Sequence, residues 1–165
     1  MAYEVGTVTR NYLGDYLAAV SETPTWYLMG LGVVQVDESP NPKLDKTAFV
    51  NTINVGADVT GYARVFPFDV QLRTGEGAAM LLVGIYRDSK IGSDAELLYV
   101  RGDLYVTPTG DLYPARKFTV AAEVTSVEAM GTEIVRIKGN FHQVGDQIEG
   151  TIDPTTGAIA FALPV

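Results

Sequence analysis

The sequence contains few side chains that could act as nucleophiles, bases or metal ligands. Its 165 residues include no cysteine and one histidine, His142. A thiolate nucleophile, a disulfide framework and a thiolate metal site are therefore excluded, and one subunit alone cannot form a multi-histidine metal centre. Catalysis by His142 would need an orienting partner and a nucleophile within reach. The sequence indicates neither, so an exposed or interfacial histidine is the favoured interpretation.

Pairs of carboxylates offer the next possible chemistry, acid and base catalysis. Asp37 with Glu38, and Asp103 with Asp111, lie at the ends of predicted strands, where solvated carboxylates are common. Such pairs catalyse only at a defined separation in a cleft. Gly30-Leu31-Gly32 begins like a dinucleotide-binding motif but lacks the third glycine and the following helix. We therefore predict no enzymatic activity, no cofactor and no metal site.

The composition favours a folded but acidic protein. It is 47% hydrophobic and 19% charged, with a formal net charge of −8, which excludes intrinsic disorder. Four basic side chains fall on two neighbouring predicted strands: Arg116, Lys117, Arg136 and Lys138. They suggest either a small basic patch for DNA or pairing with Glu123, Glu128 and Glu133. Because acids are interleaved with them, pairing is favoured.

One segment, residues 74–87, has the pattern of a helix. Thr74 is a suitable N-cap and Glu76 lies in the first turn, where an acid is favoured. Three glycines, at 75, 77 and 84, weaken this helix, so it must pack against a sheet.

Residues 1–24 show no clear period and are predicted as an N-terminal arm, with a possible short helix over 12–19. Nothing at the N-terminus has the features of a targeting segment, so synthesis and folding in the cytoplasm are expected. No uncharged stretch is long enough for a membrane-spanning helix, so no membrane insertion is expected.

The rest of the chain reads as strands. Residues 25–36 and 43–55 are predicted to pair as a hairpin across the turn 38–42, and 56–69 reads as a long ordered loop. Alternation of apolar and polar residues then predicts antiparallel strands with one wet face. These strands cover 96–106, 116–127 and 133–142, and 147–153 pairs with 158–163 around the turn 154–157. The fold class is mainly β with one flanking helix.

Trp26-Tyr27 near the start of a β-rich chain admits an alternative, a lipocalin-like barrel that carries a small apolar ligand. The helix in mid-chain and the lack of a closing C-terminal helix count against it.

Several short motifs occur in an order and spacing that resemble a known family over roughly residues 26–165. The motifs are Asn41-Pro42-Lys43, Phe49-Val50-Asn51, Val59-Thr60-Gly61-Tyr62, Phe66-Pro67-Phe68-Asp69, Ile85-Tyr86-Arg87, Gly92-Ser93-Asp94-Ala95-Glu96, Ala115-Arg116-Lys117-Phe118, Gly139-Asn140-Phe141, Gly145-Asp146 and Gly150-Thr151. In this respect the chain resembles the major tail protein of phages with long, non-contractile tails, the type common among phages of Gram-positive hosts. The glycine-rich helix departs from the family pattern.

The resemblance implies a single domain over residues 1–165, an antiparallel β-sandwich or barrel with one flanking helix. It implies hexameric rings stacked into a tube that conducts double-stranded DNA without binding it specifically. Its implied partners are other copies of itself, the tape measure, the tail terminator and the baseplate or distal tail proteins. The implied location is the virion tail, assembled in the host cytoplasm.

Within such a tube, the stretch 38–69, including the predicted second strand, is interpreted as a ring-to-ring stacking region. The hypothesised contact residues between subunits are Phe66, Pro67, Phe68, Asp69, Arg116 and Lys117. The two phenylalanines have an equally open alternative, packing in the subunit core. Asp37 and Glu38 are hypothesised to face the lumen, and the N-terminal arm is expected to order on assembly.

Overall fold

The computed structural model describes residues 13–30, 32–51, 53–73, 75–129, 131 and 134–161. Within them the elements, in chain order, are β1 (Leu13–Ala19), β2 (Tyr27–Leu28), β3 (Val33–Val36), β4 (Pro42–Thr47), β5 (Gly56–Tyr62), β6 (Val65–Gln71), α1 (Gly77–Arg87), a 3-10 turn (Gly92–Ala95), β7 (Glu96–Asp103), β8 (Tyr113–Glu128), β9 (Arg136–Asp153) and β10 (Ala158–Phe161). No helix among these is long and apolar enough to cross a membrane.

Eight of the strands form one antiparallel sheet that curls into a half-barrel. The strand order is β2-β1-β7-β8-β9-β6-β3, and β10 pairs with the far end of β9. The long strands β8 and β9 form the centre of the sheet and pair along most of their length. β4 and β5 form a separate two-stranded sheet. The prediction of a mainly antiparallel β fold with a flanking helix is confirmed.

The main core fills the concave face of the sheet beneath α1. Its centre consists of four aromatic side chains that are fully buried: Phe66, Tyr99, Phe118 and Phe141. The Phe66 ring lies 4.9 Å from both the Tyr99 ring and the Phe118 ring, measured between centroids. Leu82 and Ile85 of α1 close this core from above. The helix is thus held by packing against the sheet.

The first residue of α1 shows why this helix tolerates glycine. A Cβ atom at Gly77 would lie 2.1 Å from the Tyr27 ring, so a larger residue would force β2 away from the helix. The helix begins at Gly77, with Glu76 as its N-cap residue, rather than at 74 as predicted. Thr74, the predicted N-cap, lies outside the described residues.

The prediction of a helix over residues 12–19 is wrong, because Leu13–Ala19 is strand β1, paired with β7 along its whole length. Tyr16, Leu17 and Ala18 are all buried, so both faces of the strand are covered. A strand that is buried on both faces shows no alternation of apolar and polar residues, so the sequence carried no strand signal here. Residues 1–12 of the predicted arm lie outside the described residues.

The predicted pairing of 25–36 with 43–55 is also wrong. β3 pairs with β6, whereas β4 pairs with β5. Residues 56–69 are β5 and most of β6, not a loop. Glycine and proline suggested a loop here, but burial of Phe66, Phe68 and Val70 on one face outweighs those local signals.

The C-terminal strands agree with the prediction. Phe118, Val120 and Ala122 point into the core from β8, and Ile137 and Phe141 do so from β9. Most of the predicted segments 133–142 and 147–153 lies in one strand of 18 residues, β9 (Arg136–Asp153), which pairs with β10 around the predicted turn. The pairing with β8 shifts register near residue 145, where a glycine with φ 73° marks a bulge. Residues 162–163 lie outside the described residues.

Candidate assembly site: the β4–β5 hairpin and its charged base

The hairpin formed by β4 and β5 is the most exposed regular structure in the described chain. Every described residue from 41 to 60 is exposed to solvent. Its large exposed apolar side chains are Leu44, Phe49, Val50, Ile53, Val55, Val59 and Tyr62. Val50 and Ile53, near the tip, have relative exposures of 109% and 102%. Exposed apolar groups concentrated on one feature are typical of a protein–protein contact.

The two legs of the hairpin meet at its base. Ser39 and Val65 are joined there by two backbone hydrogen bonds, with N–O distances of 2.8 and 3.0 Å. Beside them Glu38 and Arg64, one from each leg, form an ion pair in which Nε lies 3.3 Å from Oε2. The Arg64 guanidinium also lies 5.0 Å from the centre of the Tyr62 ring. The base is thus closed by both backbone and side-chain contacts.

Glu38 also reaches the large sheet. Arg116 of β8 donates two hydrogen bonds to its carboxylate, from Nη2 to Oε1 at 2.8 Å and from Nη1 to Oε2 at 3.1 Å. Nη1 of Arg101, on β7, lies 3.8 Å from Oε1. A two-pronged arginine contact of this kind is among the stronger charged hydrogen bonds in proteins. One carboxylate therefore contacts arginines from the hairpin and from two sheet strands.

The innermost member of this group is Arg101, which is only 2% exposed. It donates to both oxygens of Asp15, at 3.1 and 3.0 Å, and to the carbonyl oxygen of Val36 at 2.8 Å. Its guanidinium lies 5.6 Å from the centre of the Phe66 ring. A buried charge is tolerated only when paired and hydrogen-bonded. We use the name arginine cluster for Asp15, Glu38, Arg64, Arg101, Asp103 and Arg116.

Two carboxyl groups in the arginine cluster have shifted pKa values of opposite direction. Burial alone would raise the pKa of Glu38, but the hydrogen bond and charge of Arg116, together with Arg101 and Arg64, outweigh it, and the pKa is lowered. Burial raises the pKa of Asp103, and the more distant Arg116 only partly offsets that effect. Glu38 is thus held ionised, whereas Asp103 gains its proton more readily.

These shifts predict how stability depends on pH. The contribution of the Glu38 carboxylate is fully present above the ordinary glutamate pKa, about 4.3, and is lost as the pH falls through its lowered folded-state pKa. Asp103 acts in the opposite direction, because its pKa is higher in the folded state than in the unfolded state. The fold is therefore stabilised as the pH falls from the folded-state pKa of Asp103 to its ordinary value. We expect Glu38→Gln to lower the free energy of unfolding by about 1–3 kcal/mol at pH 7. Urea unfolding between pH 7 and 3 should show the difference in unfolding free energy between the parent and Glu38→Gln shrinking below about pH 4.3. A difference that stays constant over this range would contradict the stabilising role of the Glu38 carboxylate.

The hypothesised contact residues are not brought together on one exposed surface. Phe66 and Phe68 are 0% and 4% exposed, so they pack in the subunit core and cannot anchor a neighbouring subunit. Asp69 pairs with Arg136 at 3.2 Å. Arg116 is engaged by Glu38 as described above. Lys117 lies over the Phe161 ring, 5.4 Å from its centre.

The two hypothesised lumen acids also differ from each other. Glu38 is surrounded by three arginines and does not present a free negative charge, so it is a poor candidate for an acidic lining. Asp37 is exposed and accepts a hydrogen bond from the side chain of Gln35.

Of the basic residues on the central strands β8 and β9, one pairs with an acid that the sequence suggested, Lys138 with Glu128. Arg116 and Arg136 pair with other acids, and Glu133 lies outside the described residues. Lys138 lies 3.3 Å from Glu128 and His142 contacts Glu123. Their acidic partners disfavour a DNA-binding patch, and His142 is half-exposed. Within the described ranges no group of three or more histidine, aspartate or glutamate side chains is arranged to hold a metal ion. The concave interior, where a lipocalin-like carrier would hold its ligand, is filled by the aromatic core.

Sequence reasoning missed Asp15, Arg64 and Arg101. Only Arg101 left a signal, a charged residue directly after the apolar run Leu97–Val100 of a predicted strand. Its partners come from residues 86 and 63 positions away in the chain. No local pattern connects them.

No protein-family model and no curated protein matches the sequence. Solved structures do match. The fold is similar to that in a hybrid NMR and electron microscopy structure of the SPP1 tail tube, with a TM-score of 0.59, 13% identity, and coverage of 83% of this chain and 75% of that chain. At this level of identity the likeness concerns the fold, and it gives the chain a phage tail tube-like fold.

Two further solved structures match less well. One is a baseplate structure of the anti-feeding prophage, with a TM-score of 0.49, 4% identity, and coverage of 83% of this chain and 91% of that chain. The other is a type six secretion system protein, with a TM-score of 0.38, 13% identity, and coverage of 90% and 99%. These scores add nothing to the fold assignment made from the SPP1 tail tube.

Proposed function

We propose that this chain is the structural subunit of a phage tail tube of the long, non-contractile type. In this proposal the subunits form stacked six-membered rings, and the lumen conducts double-stranded DNA into the host during ejection. The observation that carries the proposal is an exposed, apolar hairpin projecting from a tail tube-like fold. A surface that meets a different surface on the next copy makes rings or filaments rather than closed dimers.

The β4–β5 hairpin is our candidate for the contact between rings. It lies within the stretch 38–69 that the sequence suggested for this role. The contact residues are now the exposed apolar side chains of the hairpin, such as Val50 and Ile53, rather than the buried Phe66 and Phe68. Pro67, Asp69 and Lys117 remain proposed as secondary contacts between subunits.

The dimensions of such a tube accommodate duplex DNA. Six subunits contributing about four strands each would give a wall of about 24 strands at about 4.8 Å spacing. With strand tilts of up to about 40°, the backbone diameter is about 37–48 Å, and side chains narrow it to about 30–40 Å. The net charge of −8, together with the carboxylate pairing of four described arginines, disfavours a cationic track that would hold phosphate; the four are Arg64, Arg101, Arg116 and Arg136. Asp37 is our remaining candidate for an acid that faces the lumen.

The proposal also specifies partners and location. Other copies of the chain form the tube, and the tape measure, tail terminator and baseplate or distal tail proteins contact its bore and ends. The location is the virion tail, assembled in the host cytoplasm. We propose no catalytic activity and no cofactor for the chain.

Imaging of the purified protein tests this function. We expect hollow, striated tubes or isolated rings by negative-stain electron microscopy, with abundance that rises with protein concentration. Sedimentation of the same samples should show large assemblies. A stable monomer throughout the concentration series, with no rings, would contradict the proposal.

A further inference from the structure

We propose that Glu38 is the residue that fixes the direction of the β4–β5 hairpin relative to the sheet, and therefore the orientation in which the hairpin meets another copy. The second half of this inference, the meeting with another copy, rests on the proposed function. The first half concerns the isolated subunit and can be tested without assembly.

The hairpin gains from such a contact because backbone pairing ties only its base to the large sheet. There Asp37 donates to the carbonyl of Pro67 at 3.0 Å, and the bonds between Ser39 and Val65 continue the pairing of β3 with β6. Beyond Asn41 and Ala63, β4 and β5 pair only with each other among the described residues. The angle at which the ribbon leaves the sheet therefore depends on the side-chain contacts at this junction.

Glu38 supplies the missing connection. It lies between the end of β3 and the start of β4, so it moves with the first leg. Its carboxylate contacts Arg64 on the second leg and both Arg116 and Arg101 on the body of the sheet. Among the described residues it is the carboxylate shared by all three arginines. Its side chain is 19% exposed, which limits the competition from water.

The body side of this connection is itself rigid. Arg101 is held by both oxygens of Asp15 and by the carbonyl of Val36, just before the hairpin. Asp103 lies 3.9 Å from Arg116 and does not replace the two hydrogen bonds that Glu38 accepts. If Glu38 loses its charge, Arg101 keeps its partner in Asp15. Arg116 keeps only the 3.9 Å contact with Asp103, and Arg64 loses its carboxylate partner, so the sheet is preserved and the hairpin is held in direction by its backbone bonds alone.

The test compares three variants of the full chain. Glu38→Gln removes the charge that links hairpin and sheet. Arg64→Gln removes only the hairpin-side partner, and it serves as the second test if Glu38→Gln fails to fold. Glu128→Gln is the matched control, because it breaks an ion pair with Lys138 on the same sheet, away from the hairpin.

Two measurements report on hairpin direction without requiring assembly. The chain has no cysteine, so spin labels at Lys46→Cys in the hairpin and Arg87→Cys in α1 are unique. We expect a narrow distance distribution in the parent and in Glu128→Gln, and a broadened one in Glu38→Gln and Arg64→Gln. Hydrogen exchange of the Ser39 and Val65 amides should accelerate about tenfold in the same two variants.

Electron microscopy then tests the link to assembly. We expect tubes from the parent and from Glu128→Gln, and irregular aggregates or none from Glu38→Gln. Folded Glu38→Gln or Arg64→Gln with an unchanged distance distribution would overturn the inference. Regular tubes from a variant with a broadened distribution would overturn its second half. Absence of tubes in the parent would overturn the proposed function alone, since the distance measurement still decides the role of Glu38.

Discussion

Replacing Val50 and Ile53 together by aspartate is expected to abolish tube formation while leaving the folded subunit intact. Both side chains are fully exposed in the subunit, so the change should alter its free energy of unfolding by about 0.5 kcal/mol or less. In a contact between copies the same positions would bury two carboxylates against apolar groups without partners. Each such burial costs several kcal/mol, and the cost recurs at every contact in the tube.

The measurements are circular dichroism with thermal unfolding for the subunit and electron microscopy with sedimentation for assembly. Ile91→Asp is the matched control, because Ile91 is an 81% exposed apolar residue outside the hairpin. We expect the control to assemble like the parent. Tubes formed by the Val50→Asp, Ile53→Asp double variant would show that the hairpin tip is not part of the contact.

The second large effect is expected from Phe66→Ala, which should destabilise the subunit itself. The Phe66 ring is fully buried and contacts the rings of Tyr99 and Phe118. Removing a buried phenylalanine side chain costs about 3–5 kcal/mol, through lost burial and the cavity left behind. Against a total stability of about 5–15 kcal/mol, this brings the fold close to unfolding.

Urea unfolding of the subunit at a concentration below assembly measures this loss directly. Pro67→Ala is the neighbouring control, because Pro67 is only partly buried and its replacement should change stability by about 1 kcal/mol or less. A Phe66→Ala subunit with parental stability but no tubes would restore the contact role first hypothesised for Phe66.

The sequence predicted strands with a clear alternation of apolar and polar residues, β8 and β9, and missed β1 and β6 for two different reasons. β8 and β9 alternate apolar and polar residues, so their inward positions, Phe118 and Phe141 among them, followed from the period of two. β1 is covered on both faces and gave no period. β6 contains Pro67 between two phenylalanines, and its local signals indicated a loop. Both β1 and β6 form because they are buried against strands that are distant in sequence, and local sequence patterns carry no information about such contacts.

The candidate site was also predicted only in part. An interaction role for the stretch 38–69 was suggested by its length and composition, and the exposed hairpin lies within it. For Phe66 and Phe68 the sequence left a subunit contact and core packing equally open, because an apolar residue reads the same whether it faces a core or a partner, and the structure places both in the core. The arginine cluster depends on contacts between Asp15, Glu38 and Arg101, which meet only through the sheet topology.

The separation of the β4–β5 ribbon from the eight-stranded body has an evolutionary consequence. Beyond its base the ribbon pairs only with itself, so it can change in length or side chains while the register of the body strands is preserved. If the chain assembles as proposed, mutations there would alter which copies recognise one another without unfolding the subunit. Lineages would then be free to diverge into mutually incompatible assemblies, and the same ribbon would be a suitable place for grafting a foreign peptide.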